Sequence, residues 1–228
     1  MARIGTFEFP ATTIVDSQTE FLLGRVRRLV RLTAFLTRYA SKADFRQSMA
    51  DLEREIERFD LGGTDLSVNS GRFFKGRRRK WSLTQDEVRC LAVGHLEILT
   101  DDRFERSETE NEETFSITSS PQSENVTVGG NWNALPVLTL TATGALVNPV
   151  FMDGTRTLST ALSLGVGETL ELDSENRTAT KNAATNVLSS VSGDFIELEP
   201  GTASVEYSDS TVGGPTASLE VKWRDRWV

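Results

Sequence analysis

Apolar residues in this chain follow two patterns. Between Ser41 and Gly63 they recur at intervals of three and four, at Phe45, Met49, Leu52, Ile56 and Phe59, which makes one apolar stripe on a helix from about Lys42 to Phe59. Ser41 can cap its first turn, with Asp44 three residues later in a capping-box position, and Gly62-Gly63 supply a left-handed exit. Asp51, Glu53, Arg54, Glu55 and Arg58 form the wet face, with Asp51 in reach of Arg54 and Glu55 in reach of Arg58. Nearly everywhere else the apolar residues alternate with polar ones in short runs bounded by Gly, Pro, Asn and Asp, the pattern of half-buried strands.

In the first half the alternation predicts a strand over Arg3–Phe9, ending at Pro10. The segment Phe21–Leu32 is ambiguous. A helix would put Val26, Leu29, Val30 and Leu32 on roughly one side, whereas a strand needs a bulge near Arg28. Gly24 and Thr33 frame it and favour the strand. Asp65–Val68, the turn Asn69-Ser70-Gly71 and Arg72–Phe74 predict a hairpin, and Glu87–Leu99 a strand. Acidic residues from Glu105 to Glu113 read as a linker, and Phe115–Ile117 as a strand crossing into a second domain.

From Thr114 onward Ser, Thr, Asn, Gly and Val dominate. Alternation returns at residues 137–142, 169–172, 195–198, 203–207 and 217–221. Strands recurring with turn signals between them predict a small antiparallel β-sandwich. The fold class is therefore mainly β with one prominent helix, an N-terminal α+β domain over 1–117 followed by a sandwich over 118–228.

Charge supports that division. Residues 1–118 carry 19 Lys and Arg against 20 Asp and Glu, a net −1, whereas residues 119–228 carry 6 against 13, a net −7. Surfaces so different suggest two domains, and the acidic half is poorly suited to a phosphate backbone. No run approaches the ~20 apolar residues of a membrane span. The N-terminal residues lack a signal-peptide pattern, so synthesis in the cytoplasm is expected.

Residues able to do chemistry are few. The lone cysteine, Cys90, forbids an intrachain disulfide and sits in an apolar run, where a buried, inert thiol is the expectation. The one histidine, His95, is five positions on, an odd separation that would put the two on opposite faces of a strand. Asp153, Asp173, Glu175 and Asp194 are scattered in turns without a calcium-loop pattern, and turn aspartates commonly cap local backbone. Gly165-Val166-Gly167 lacks the helix that a phosphate cradle needs. The expectation is no metal, no cofactor and no enzymatic activity. Trp132, Trp223 and Trp227 could form a sugar-stacking platform, although packing is the favoured role for Trp132 and Trp223. Arg77-Arg78-Arg79-Lys80 beside Trp81 has the composition of a nucleic-acid patch. In a domain of net charge −1, it reads better as a solvated hairpin or as a contact with an acidic neighbour.

The order of residues in the second half resembles a known family. Gly130-Asn131-Trp132, Pro136–Leu140, Asn148-Pro149-Val150-Phe151, Leu164–Asp173, Phe195–Gly201 and Val221-Lys222-Trp223-Arg224 follow one another as in the C-terminal domain of siphophage distal tail proteins. Residues 46–59 and the stretch Leu96–Phe104 resemble that family's first domain, with Arg103 where a proline is common. The resemblance implies a structural virion protein at the tail tip. Its first domain would build a ring, taken to be hexameric, and its galectin-like sandwich would project outward. The expected partners are further copies of itself, the tail tube protein, the tail-tip hub protein and receptor-binding proteins, with no membrane and with DNA only as cargo passing through the lumen. The opposite charges of Arg77–Lys80 and of Glu105–Glu113 suggest that both lie at or near contacts between copies. Two other readings stand beside this one: a carbohydrate- or receptor-binding module using the sandwich, and a tail-tube subunit.

Overall fold

A computed structural model describes residues 2–22, 25–37, 39–62, 65–101, 103–212 and 214–228. The chain divides into two compact units, residues 1–108 with 228, and residues 109–227. The division falls ahead of residue 117 because Asn111–Ile117 pairs along its whole length with Ala217–Trp223 and so belongs to the second unit.

The first unit is built on a four-stranded antiparallel sheet in the order Ile14–Leu22, Arg25–Leu36, Leu91–Thr100, Gly76–Asp86. The helix Lys42–Asp60 buries Phe45, Met49, Leu52, Ile56 and Phe59 against Val30, Leu32, Ala34, Leu36, Ala92, Leu96 and Ile98 of that sheet. Its start is as predicted: the Asp44 N–H donates to Ser41 Oγ at 3.1 Å, and the Ser41 hydroxyl donates to the Asp44 carboxylate at 2.8 Å. At the other end Gly62 takes φ +73°, while Gly63 lies outside the described residues. The ion pairs Arg54–Asp51 and Arg58–Glu55 both form at 2.8 Å. Glu55, however, is buried and not on the wet face, and one of its oxygens also accepts from Thr6 Oγ1.

Four local expectations are corrected. Arg3–Phe9 is a tight hairpin, Arg3–Ile4 against Phe7–Glu8, with Gly5 at φ +54° in a two-residue turn. The strand Arg25–Leu36 runs without a register break, so no bulge forms at Arg28. Arg28 is accommodated instead, its guanidinium 5.2 Å from the centre of the Phe74 ring and its backbone N–H and carbonyl both bonded to Thr100 Oγ1. The strand expected from Glu87 starts at Leu91. Residues 87–90 are a turn in which Asp86 accepts from the N–H groups of Val88 and Arg89, and Cys90, at φ +52°, is only half-buried. Finally, the acidic run is no linker, because Glu105–Ser107 pairs with Arg72–Phe73 and residues from Asn111 form a sandwich strand.

The second unit is a sandwich. One sheet has the order Asn111–Ile117, Ala217–Trp223, Val137–Ala142, Thr169–Asp173, Thr178–Lys181, Thr185–Asn186. The other has Gln122–Val128, Gly201–Ser208, Val150–Met152, Thr157–Thr160, Val191–Gly193. Alternation sends Leu138, Leu140, Leu170, Leu172, Leu219 and Val221 from the first sheet, and Val126, Phe151, Leu158, Val205 and Tyr207 from the second, into one core. Phe195–Leu198 is not a strand. Ile196 and Leu198 are buried there, and the backbone of Leu198 exchanges two hydrogen bonds with Ala134.

Candidate assembly surfaces

The four-stranded sheet ends in two long outer strands, Ile14–Leu22 and Gly76–Asp86. One face meets the helix; the other presents the residues of opposite parity. On that second face a row of charges crosses every strand in register: Asp16 opposite Arg31, Arg31 opposite Glu97, Glu97 opposite Lys80. Arg31 reaches Glu97 at 3.3 Å and Asp16 at 3.6 Å. The neighbouring row on the helix side is apolar throughout, with Val15, Leu32, Leu96 and Trp81 opposite one another in turn. Leu32 and Leu96 are buried, whereas Val15 at the edge is 41% exposed and Trp81 half-buried.

The four basic residues singled out in the sequence do not act as one patch. Arg77 lies opposite Leu99 on the face away from the helix, and Lys80 closes the charged row. Arg79 falls in a bulge, where the register shifts between Arg78 and Lys80. Arg78 turns to the helix, its guanidinium 2.6 Å from the Asp60 carboxylate. The acidic run is also engaged within its own units. Glu108 pairs with Arg3 at 2.6 Å, buried Glu105 with Arg72 at 3.6 Å, Glu112 with Lys222 at 3.6 Å, and Glu110 with Arg224 at 3.6 Å.

In the sandwich, Asp153 and Asp173 are turn caps. Asp173 accepts from the N–H groups of Glu175 and Asn176. Asp153 accepts from Thr155, Arg156 and Glu197, and Arg156 bridges on to Glu197 at 3.1 Å. Burial opposes ionisation of Asp153, but these three backbone donors and the Arg156 guanidinium outweigh it and hold the carboxyl below its ordinary range. Among the described residues no cluster of three His, Cys, Asp or Glu side chains could hold a metal ion.

Trp223 is buried in the sandwich core as expected, whereas Trp132 is 42% exposed. Trp132 borders a cavity of about 640 Å³ with Leu135, Arg156, Arg177, Phe195 and Glu197. Gly130 adopts φ +82°, and the N–H groups of Asn131 and Trp132 both donate to the Arg226 carbonyl. The motif Gly130-Asn131-Trp132 therefore fastens this end of the sandwich to Arg226.

Residues 129–227 match the family model described as siphovirus-type tail component, C-terminal domain. The C-terminal unit is thus similar to the siphovirus-type tail component domain. The segments that carried the resemblance, from Gly130 to Arg224, fall within it. The fold of the whole chain is also similar to that of a solved structure, SPP1 Dit, described as a paradigm of the hub adsorption apparatus in phages that infect Gram-positive bacteria. The TM-score is 0.61 at 12% sequence identity, over 100% of this chain and 92% of that one. No curated protein matches the chain in sequence.

Sequence reasoning missed the two rows. Their members are distant in sequence and become neighbours only once strand pairing and register are known.

Proposed function

We propose that this chain is a structural protein of the distal tail, forming a ring that joins the tail tube to the tail-tip hub of the adsorption apparatus. One observation carries the reading: the tail-component domain is joined to an N-terminal unit, and the two together follow the fold of SPP1 Dit along the whole chain. The N-terminal unit builds the ring through the outer strands of its four-stranded sheet, and the sandwich faces outward. Unlike ends meeting head to tail close into a ring when the rotation between copies permits. The role is scaffolding and not catalysis, and DNA is cargo in the lumen.

The test has two parts. Antibody against the chain, bound to intact virions, is expected at the tail end distal to the capsid, and the purified chain is expected to give rings with a central hole by negative-stain microscopy. Label on the capsid or along the tube, or a chain that stays monomeric at every concentration and in the presence of tail tube protein, overturns the ring.

A second reading, carbohydrate or receptor binding by the sandwich, is favoured by the cavity beside exposed Trp132, since an indole face next to charged hydrogen-bonding groups suits a sugar ring. Specific glycan binding by the full-length chain, lost on Trp132→Ala, would support it. An empty glycan array would remove it.

A further inference from the structure

Glu55 is a buried carboxylate with only one of its oxygens answered. Its side chain is 6% exposed, and Oε1 accepts from Arg58 at 2.8 Å and from Thr6 Oγ1 at 3.0 Å. The other oxygen, Oε2, is buried and has no hydrogen-bond partner among the described residues. A carboxylate oxygen can only accept, and a buried acceptor left unmet is costly. Oε2 calls for a donor that its own surroundings do not supply.

Glu55 also lines a cavity of about 530 Å³ in the N-terminal unit, a size that suits a ligand. Ser48, Asp51 and Glu55 recur at intervals of three and four and so lie along one edge of the helix Lys42–Asp60. The N-terminal hairpin adds Phe7 and Glu8, and Tyr39 follows the strand Arg25–Leu36.

Charge and shape select the class of donor. Three carboxylates line the cavity, Glu8, Asp51 and Glu55, against one cation, Arg54, a net −2. Arg54 is held by Asp51 and Arg58 by Glu55 Oε1, each at 2.8 Å, which leaves Oε2 to a donor from outside. A negative wall favours a cation over a neutral donor. The half-buried rings of Phe7 and Tyr39 border the same space. Tyr39 is fixed there, its ring 5.3 Å from that of Phe45 and its oxygen accepting from Ser48 Oγ at 3.3 Å. Acidic groups beside aromatic rings suit a guanidinium better than an ammonium. It is planar, carries five donors, stacks on rings and gives up its water more readily. Glu8 and Arg54 are exposed, so the cavity can be entered from solvent.

We propose that this cavity binds an arginine side chain of a neighbouring protein, its guanidinium donating to Glu55 Oε2 and lying against Phe7 and Tyr39. Glu8 and Asp51 supply the charge that draws the side chain in.

Saturation-transfer difference NMR reads this site on the full-length chain, whether assembled or not. The probe is a short blocked peptide with one arginine between two alanines. Its arginine methylene protons are expected to receive saturation and to titrate with a dissociation constant on the order of 1 mM. The citrulline counterpart keeps the shape with a neutral head and is expected to bind about tenfold more weakly; the lysine counterpart should bind about threefold more weakly. Free L-arginine brings its own carboxylate to an acidic wall and should bind about threefold more weakly than the peptide. Glu55→Gln keeps an acceptor for Thr6 and Arg58 and turns an NH₂ toward the place of Oε2. Thermal unfolding is expected to show it folded, with affinity for the arginine peptide lowered about tenfold. If it does not fold, Glu8→Gln, at an exposed position, is expected to lower the affinity about threefold. The site is overturned by equal binding of the arginine and citrulline peptides, or by no saturation transfer up to about 10 mM peptide. Unchanged affinity in Glu55→Gln, or in Glu8→Gln where only that variant folds, overturns it too. A lysine peptide as tight as the arginine peptide overturns the guanidinium, and L-arginine as tight as the peptide overturns the protein source.

Discussion

Arg78 and Asp60 hold each other twice: the guanidinium lies 2.6 Å from one carboxylate oxygen, and the Arg78 backbone N–H donates to the other at 3.1 Å. The residue that the sequence offered at the centre of a basic patch is thus spent on fastening the last turn of the helix to the strand Gly76–Asp86. Arg78→Ala is expected to lower the stability of the chain by about 1 kcal/mol. Arg77→Ala, at an exposed position, should stay within about 0.5 kcal/mol of the original. Denaturant unfolding of the two variants side by side measures this. Equal losses would mean that the Asp60 contact contributes nothing.

Asp153 makes acid stability a test of the sandwich. Its carboxyl ionises more readily in the folded chain than in the unfolded one. Its stabilisation is therefore fully present above the ordinary carboxylate pKa of about 4 and is lost as pH falls through the lowered folded value. In Asp153→Asn, an amide NH₂ must face either the donors of Thr155 and Arg156 or those of Glu197 and the Arg156 guanidinium. A loss of about 2–3 kcal/mol is expected at neutral pH, and the gap to the original chain should narrow toward about pH 3. A gap independent of pH would show that the charge is not what matters.

The tryptophans separate packing from display. Trp223→Ala empties a large volume of the sandwich core and should cost about 3–5 kcal/mol. Trp223→Phe should cost much less, because the buried indole N–H has no acceptor among the described residues. Trp132→Ala, at a half-exposed position, should leave the melting temperature nearly unchanged. Thermal unfolding of the three variants checks the order.

Gly130→Ala should destabilise the chain by about 1–3 kcal/mol. A methyl group there would meet the Arg226 backbone at a left-handed φ of +82°. Gly154 also has a positive φ but nothing within reach of an added Cβ, so Gly154→Ala isolates the cost of the dihedral. Equal costs for the two would remove the close approach from the explanation.

The helix was readable because a stripe at intervals of three and four, closed by a capping serine and a glycine, is local information. The long sandwich strands were readable for the same reason. Segments whose state depends on distant partners were not. Arg3–Phe9 keeps its alternation through a two-residue turn, so periodicity alone cannot tell the hairpin from one strand. Phe195–Leu198 alternates and buries Ile196 and Leu198 without joining a ladder, since burial and strand pairing are separate requirements. Glu105–Glu113 looked like a solvated linker because its partners, Arg3, Arg72, Lys222 and Arg224, are remote. Cys90 looked like part of a core strand because its apolar neighbours continue past the turn that Asp86 caps. The rows ending in Lys80 and Trp81 are the extreme case, since each draws one residue from every strand.

The strand order of the sandwich also sets a schedule for its making. Ala217–Trp223 sits between Asn111–Ile117 and Val137–Ala142 and bonds to both. A ribosome releases the first of these strands about a hundred residues before the one that seats it, and such distant pairings form slowly. Through that interval Asn111–Ile117 waits beside a gap in its own sheet. The domain then matures in a single late step, once Ala217–Trp223 is available, so a translation product cut short of that strand would lack the piece that locks the sandwich.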